Sequence, residues 1–277
     1  MNYGKKRTRK REHELASKGT MIRKKFNVIF CKALLISFFA VMIVGGCSAF
    51  GVISGIIASA PSIEDIDATP TGYLTTVLDN QGNQTATLVA SGSNRKYVTI
   101  NEIPINLQHA FVAIEDERFY DHNGIDLQGI LRAGLKGVAS GFHFSEGAST
   151  ITQQLLKNTV FTQWTSEQSM ADKFERKFQE QYLALQLEKV VDKDWILENY
   201  LNAINLGQNT LGVGVASERY FGKDVSDLTL SECAVLAAIT QSPSYYNPIT
   251  HPDHNKERRQ KVLNNMLDQG YISQSEY

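Results

Sequence analysis

The strongest pattern in this chain is a block with no charge at all, Ala33 to Ala60, 28 residues opening ALLISFFAVMIVGG. As a helix it would rise about 42 Å, against about 30 Å of bilayer hydrocarbon. It is therefore long enough to span, and glycines such as Gly45 and Gly51 are tolerated in lipid. Beyond it the pattern changes twice. Ile66 to Ile100 reads as extended structure: GYLTTVLD and QTATLVA are rich in Thr, Val and Leu, with Asp79-Asn80-Gln81-Gly82-Asn83 as the turn between them. After Pro104 the spacing becomes helical, with Leu107, Phe111 and Ile114 on one face and Phe174, Phe178, Tyr182 and Leu185 on another. Thr229-Leu-Ser-Glu232 predicts a capping box ahead of CAVLAAI, and Gly270 closes a last helix starting near Asn255. The organisation expected is a tail over 1–32, a transmembrane helix over 33–60, a β neck over 61–102 and a mainly α body over 103–277.

Charge sharpens that division. Met1–Lys32 holds 11 Lys/Arg and 2 Asp/Glu, whereas the other 245 residues hold 17 and 27. The near-zero total describes neither part. A basic flank before the apolar block and the acidic PSIEDID after it place the tail in the cytoplasm and the body outside. Val44-Gly45-Gly46-Cys47 also fits a lipoprotein processing site, but 13 uncharged residues follow Cys47 up to Ala60. An acidic body argues against nucleic-acid binding. The 3 cysteines and 6 histidines form no zinc spacing, and no phosphate-loop or dinucleotide fingerprint occurs.

Three segments carry candidate chemistry. Ala113-Ile-Glu-Asp-Glu-Arg-Phe-Tyr-Asp-His-Asn-Gly124 delivers Glu115 and Asp116 at the end of an apolar helix, where partial desolvation suits a general base or acid; surface charges at a helix end would read the same. Gly147-Ala-Ser-Thr-Ile-Thr-Gln-Gln-Leu-Leu-Lys-Asn158 places hydroxyls, amides and one lysine around a helix start, a pattern fit for an anion or for simple capping. Lys173-Phe-Glu-Arg-Lys-Phe-Gln-Glu180 puts Arg176, Lys177 and Glu180 on one helix face, either an i,i+4 pair or a cationic patch for phosphate. Ser93-Asn-Arg-Lys96 matches the S-x-x-K of serine acyl enzymes, but it falls in the extended segment and no K-[ST]-G accompanies it.

Together these segments closely resemble the peptidoglycan glycosyltransferase domain, glycosyltransferase family 51, of class A penicillin-binding proteins. Five motifs appear in order: EDERFYDHNG (115–124), GASTITQQLLKN (147–158), RKFQE (176–180), KDWILENYLN (193–202) and GVGVASERYFGK (212–223). The resemblance runs from about Gly72 to the C-terminus. It implies a mainly α, lysozyme-like fold and polymerisation of lipid II into β-1,4 glycan with release of undecaprenyl pyrophosphate. A lysozyme-like hydrolase using the same carboxylates is the alternative.

Carried over, Glu115 is the base that takes the proton of the acceptor's 4-hydroxyl, which attacks the donor C1 with inversion. Lys157, Arg176 and Lys177 neutralise the pyrophosphate, and Glu180, the second catalytic carboxylate, places those cations or a divalent ion. Ser149, Thr150, Gln154 and Asn158 bind the donor. Where some members carry an Arg before the third motif, this chain has Gln168–Asp172, and Lys173 is the nearest cation. The resemblance implies no required cofactor, with room for a divalent cation. Its implied partners are lipid II, the growing glycan strand, the bacterial cell membrane and other cell-wall synthesis proteins. A single membrane pass, with the catalytic domain extracytoplasmic and a transpeptidase domain following residue 277, completes the expectation. Some of the aromatics Phe142, Phe144, Phe161 and Trp164 are expected to dip into the membrane interface, with filling of the core as the alternative.

Overall fold

The computed structural model describes residues 4–90, 93–141, 147–167 and 169–277. It separates into two units, Met1–Ser59 and Ala60–Tyr277. The first unit is helical throughout. α1 spans Lys5–Ala16 and α2 spans Lys18–Ala58, with Ser17 accepting from the Thr20 amide as the cap between them. Lys and Arg are good helix formers, so the basic tail is helical too, and α2 runs from it through the uncharged block without a break. This is the one candidate span among the described residues, with a mean hydropathy of 2.5 over its best window and none of that window buried. By length and composition it can cross a membrane.

The second unit begins with a hairpin, β1 (Thr75–Leu78) paired antiparallel with β2 (Gln84–Leu88), both exposed along their length. Asp79 organises the turn by accepting from the amides of Gln81 and Asn83, each at 2.8 Å. The chain after the hairpin is bound to the helical body rather than standing free of it. Asn202 donates to Val98 O at 2.8 Å and accepts from Val98 N at 3.0 Å, so one side chain imitates a strand partner. Lys96, the lysine of the S-x-x-K match, pairs with Glu218 at 2.6 Å and Asp224 at 3.1 Å. It is a clasp. The strap lies so close that a Cβ on Gly214 would stand 2.6 Å from Lys96 O.

Among the described residues eight helices follow: α3 (Ile105–Glu115), α4 (Leu127–Ala139), α5 (Ile151–Thr159), α6 (Met170–Leu187), α7 (Lys193–Ala203), α8 (Val213–Phe221), α9 (Leu230–Ile239) and α10 (Pro252–Asp268). The capping box at Thr229–Glu232 forms, and α10 ends on Gly270 at φ 76°. Every residue from Cys233 to Ile239 is buried. An all-round apolar helix belongs at a core's centre, and α9 packs between α3 and α10 while α5 packs on α6 and α7. Burial pushes the Cys233 thiol up to about 12, which leaves it unreactive.

On α6 the sequence pattern misleads. Phe174 and Leu185 are exposed, and the inward face carries Glu180, Leu183, Ala184 and Leu187 instead. Phe174 meets Phe178 with tilted rings, centroids 4.6 Å apart, outside the core. The reason is that the buried stripe of this helix has to carry the charge of Glu180 along with its leucines.

Candidate active site

The ends of α3 and α9, α5, the first half of α6 and one face of α10 enclose a cleft of about 990 Å³. Although the chain beyond the tail is acidic, eight Lys/Arg and four Asp/Glu line this cleft. Its field therefore opposes that of the rest of the body and favours an anion.

Glu115 is the last residue of α3 and its side chain is 15% exposed. Gln154 Nε2 donates to its Oε2 at 3.0 Å, the Thr240 hydroxyl bonds its Oε1, and Arg258 Nη2 lies 3.9 Å from the same oxygen. Three elements thus hold one carboxylate at the cleft wall. The next residue has a different job. Asp116 is buried; both its oxygens meet His122 Nε2, at 3.0 and 3.1 Å, and Oδ2 also accepts from the Ile151 amide at 2.9 Å. It fastens the N-terminus of α5, a favourable place for a carboxylate, to the end of α3. Adjacent acids that read alike in sequence are separated into a solvent-facing group and a structural anchor.

Close approach explains the glycine that ends the first motif. Gly124 has φ 91°, and a Cβ there would stand 2.6 Å from the Ala184 backbone. Its carbonyl accepts from Thr150 Oγ1 at 2.8 Å and Gln153 Nε2 at 3.2 Å. The lysine of the fourth motif braces the same loop: Lys193 donates to His122 O at 2.7 Å, pairs with Glu188 at 2.6 Å and lies over Phe119.

The opposite side of the cleft is cationic. Arg176 donates Nε to Glu167 at 2.7 Å and pairs through Nη1 with Oε1 of Glu180; Lys177 reaches Oε2 of Glu180 and the Ser149 hydroxyl, each at 2.8 Å. Burial alone would lower the Arg176 pKa, but its bonds to Glu167 and Glu180 outweigh that and raise it. Glu180 itself is completely buried behind these cations. Its two oxygens are bonded to Arg176 and Lys177 respectively, and among the described residues no group of three or more His, Cys, Asp and Glu could hold a metal. Lys157 lines the cleft with its amine 3.7 Å over the Trp164 ring. Burial holds its pKa below the ordinary lysine value; Glu180 opposes that, and the neighbouring Arg176 and Lys177 add to it. Lys173 also lines the cleft; Gln168 lies outside the described residues.

Two expected donor ligands stand elsewhere. Thr150 is buried as the N-cap of α5, accepting from the Gln153 amide while donating to Gly124. Its hydroxyl is spent on the fold. Asn158 is half-buried on α5 and does not line the cleft. Of the four aromatics named for the interface, two lie among the described residues. Phe161 packs against the core and Trp164 is half-buried under Lys157, while Phe142 and Phe144 lie outside the described residues. Exposed apolar surface is found instead on α4, at Leu127, Leu131, Leu135 and Val138.

Sequence reading passed over Thr240, Arg258, Asn265 and Gln269. The last two donate side-chain amides to Ala113 O at 2.9 and 3.1 Å, capping α3 two residues before Glu115. No local signal marks them, since they lie more than 120 residues from the group they hold. A weak hint was the polar row of α10, spaced 258, 261, 265, 268.

Comparison with known proteins agrees with this geometry. The family model described as Transglycosylase matches residues 81–267. The chain is 48% identical over 201 residues to penicillin-binding protein 1F of Bacillus subtilis, covering 72% of this chain and 27% of that protein. With penicillin-binding protein 1A of Clostridium perfringens it shares 41% identity over 285 residues, 97% of this chain and 40% of the relative. With penicillin-binding protein 1A/1B of Bacillus subtilis the figures are 40% over 258 residues, 92% and 27%. The chain thus spans well under half the length of these relatives. With its first three motifs on one cleft and two thirds of its length matched, the chain belongs to the transglycosylase family.

Proposed function

We propose that this chain polymerises lipid II into β-1,4 glycan as a membrane-anchored peptidoglycan glycosyltransferase of cell-wall synthesis. The observation that carries the reading is the division of the cleft: one clamped carboxylate, Glu115, on one side and the Lys157, Arg176 and Lys177 group on the other. Glu115 takes the proton of the acceptor's 4-hydroxyl as that oxygen bonds to the donor C1 from the face opposite the leaving group. The C1–O bond to phosphate breaks with inversion, and the electron pair departs with undecaprenyl pyrophosphate. Pyrophosphate is a good leaving group, so the reaction asks for charge neutralisation at its oxygens more than for a strong acid. Buried Glu180 keeps Arg176 and Lys177 side by side, which pre-organises that neutralisation. Ser149, held by Lys177, and Gln154 remain as polar contacts for the donor.

The basic tail before α2 supports an orientation with the N-terminus in the cytoplasm and the cleft outside, where a lipid-linked substrate and the growing strand would meet it. The test is product formation from lipid II by the full chain in vesicles. Glycan polymer and undecaprenyl pyrophosphate are expected without added strands, and Glu115→Gln should lower turnover by roughly 10²-fold while donor binding survives. Cleavage of mature glycan with no use of lipid II would overturn the reading in favour of hydrolysis.

A further inference from the structure

Thr240 follows α9 at φ −51° and ψ −45°. Its hydroxyl bonds Oε1 of Glu115 and also lies 3.0 Å from the carbonyl oxygen of Ala237, three residues back. A hydroxyl has one proton and two lone pairs, so it donates to one of these acceptors at a time. Facing a carboxylate, it gives its proton to Oε1, because a charge-assisted bond is the stronger. Facing a carboxyl group that carries its proton on Oε1, it can turn about its C–O bond, donate to Ala237 O and accept from Oε1. No heavy atom moves between the two arrangements. The other oxygen of Glu115 has no such freedom, since Gln154 Nε2 at 3.0 Å only donates. Arg258, 3.9 Å from Oε1 and 10% exposed, likewise donates only. Thr240 is the one side chain bonded to Glu115, among the described residues, able to serve both protonation states.

We propose that Thr240 is a positioning residue for Glu115, a hydroxyl rotor that donates to the carboxylate before proton transfer and accepts from the carboxyl group afterwards. The inference rests on Glu115 being the base of the reaction proposed above. The proton is that of the attacking hydroxyl; it rests on Glu115 after the glycosidic bond forms and then leaves to water, and Thr240 has neither gained nor lost one at the end of the cycle. A bond from Thr240 to Ala237 O alone would be the ordinary back-bond of a helix-ending threonine. What sets this residue apart is the second partner, 125 residues away.

Thr240→Val keeps the shape and removes the hydroxyl, and Thr240→Ser keeps the hydroxyl. In the full chain with lipid II, the valine variant should lose roughly tenfold in kcat, the scale of one charge-assisted hydrogen bond, with KM and Tm little changed. The serine variant should stay within about twofold of the wild type, since it retains that bond. In a Glu115→Gln background the valine substitution should cost nothing further. A second measurement needs no turnover: the carboxyl carbon-13 resonance of Glu115, assigned by its loss in Glu115→Gln, should shift in Thr240→Val and return in Thr240→Ser with no lipid present. Wild-type kcat in the valine variant, the same loss of rate in the Glu115→Gln background, or an unmoved resonance would each overturn the inference. A wild type that makes no polymer would instead remove the reaction, and the resonance tells that failure from a missing Thr240–Glu115 bond.

Discussion

Gln154 donates an amide N–H to Glu115 at 3.0 Å while its own amide oxygen lies 3.4 Å from the hydroxyl of Tyr200. Tyr200 is fully buried, and burial raises its pKa well above the ordinary tyrosine value, with Glu115 and Asp116 adding to the shift. It therefore stays a donor and tells the Gln154 amide which way to face. Tyr200→Phe removes only that instruction. Turnover should fall by about 3- to 10-fold while stability changes by about 0.5–1.5 kcal/mol, the net scale of one hydrogen bond. Initial rates and thermal unfolding measured together check it.

Glu115 and Asp116 should respond in opposite ways. Asp116→Ala leaves His122 and the Ile151 amide without their buried acceptor and should cost about 1–3 kcal/mol or more, lowering Tm. Glu115→Gln should leave Tm near the wild-type value and lower turnover by roughly 10²-fold. Unfolding curves for the two variants decide; an unstable Glu115→Gln beside a stable Asp116→Ala would reverse the roles assigned.

Lys157 sets an alkaline limit. Its pKa is lowered by burial and by the nearby cations Arg176 and Lys177, so folded protein gives up that proton at a lower pH than unfolded chain. Stability from this group therefore grows as pH rises through the lowered value, and near neutrality the charged amine is held at a cost that a bound phosphate offsets. Affinity for pyrophosphate should fall before the ordinary lysine range is reached, and Lys157→Met should abolish that limb. Calorimetric titration with pyrophosphate across alkaline pH checks the sign.

Trp164 and α4 present two separate surfaces. Trp164→Ala removes the ring beneath the Lys157 amine, a contact worth about 0.5–2 kcal/mol, and should raise donor KM without changing liposome binding by the body. Leu131→Asp with Leu135→Asp on exposed α4 should do the reverse: weaker liposome binding and an unchanged Tm, because neither side chain supports the core. Flotation assays and KM values for both variants separate the two surfaces.

The sequence alone determined the parts whose causes are local. The membrane helix follows from an uncharged run, the hairpin from Asp79 to Asn83, the capping box from residues three apart, and the cation–carboxylate set on α6 from helical spacing. The local pattern singled out Glu115 and Asp116 together, and only the family resemblance chose Glu115 as the base. Tertiary structure decided what depends on facing partners. Only the fold shows that Asp116 is tied to His122 and Ile151 while its neighbour Glu115 faces the cleft. Thr150 looked like a ligand because a capping hydroxyl and a binding hydroxyl share one sequence signature. Thr240, Arg258, Asn265 and Gln269 carried no signature, since their partners lie on an element more than 120 residues earlier. Local periodicity records which face of a helix is apolar; it holds no record of which distant carboxylate that face will meet.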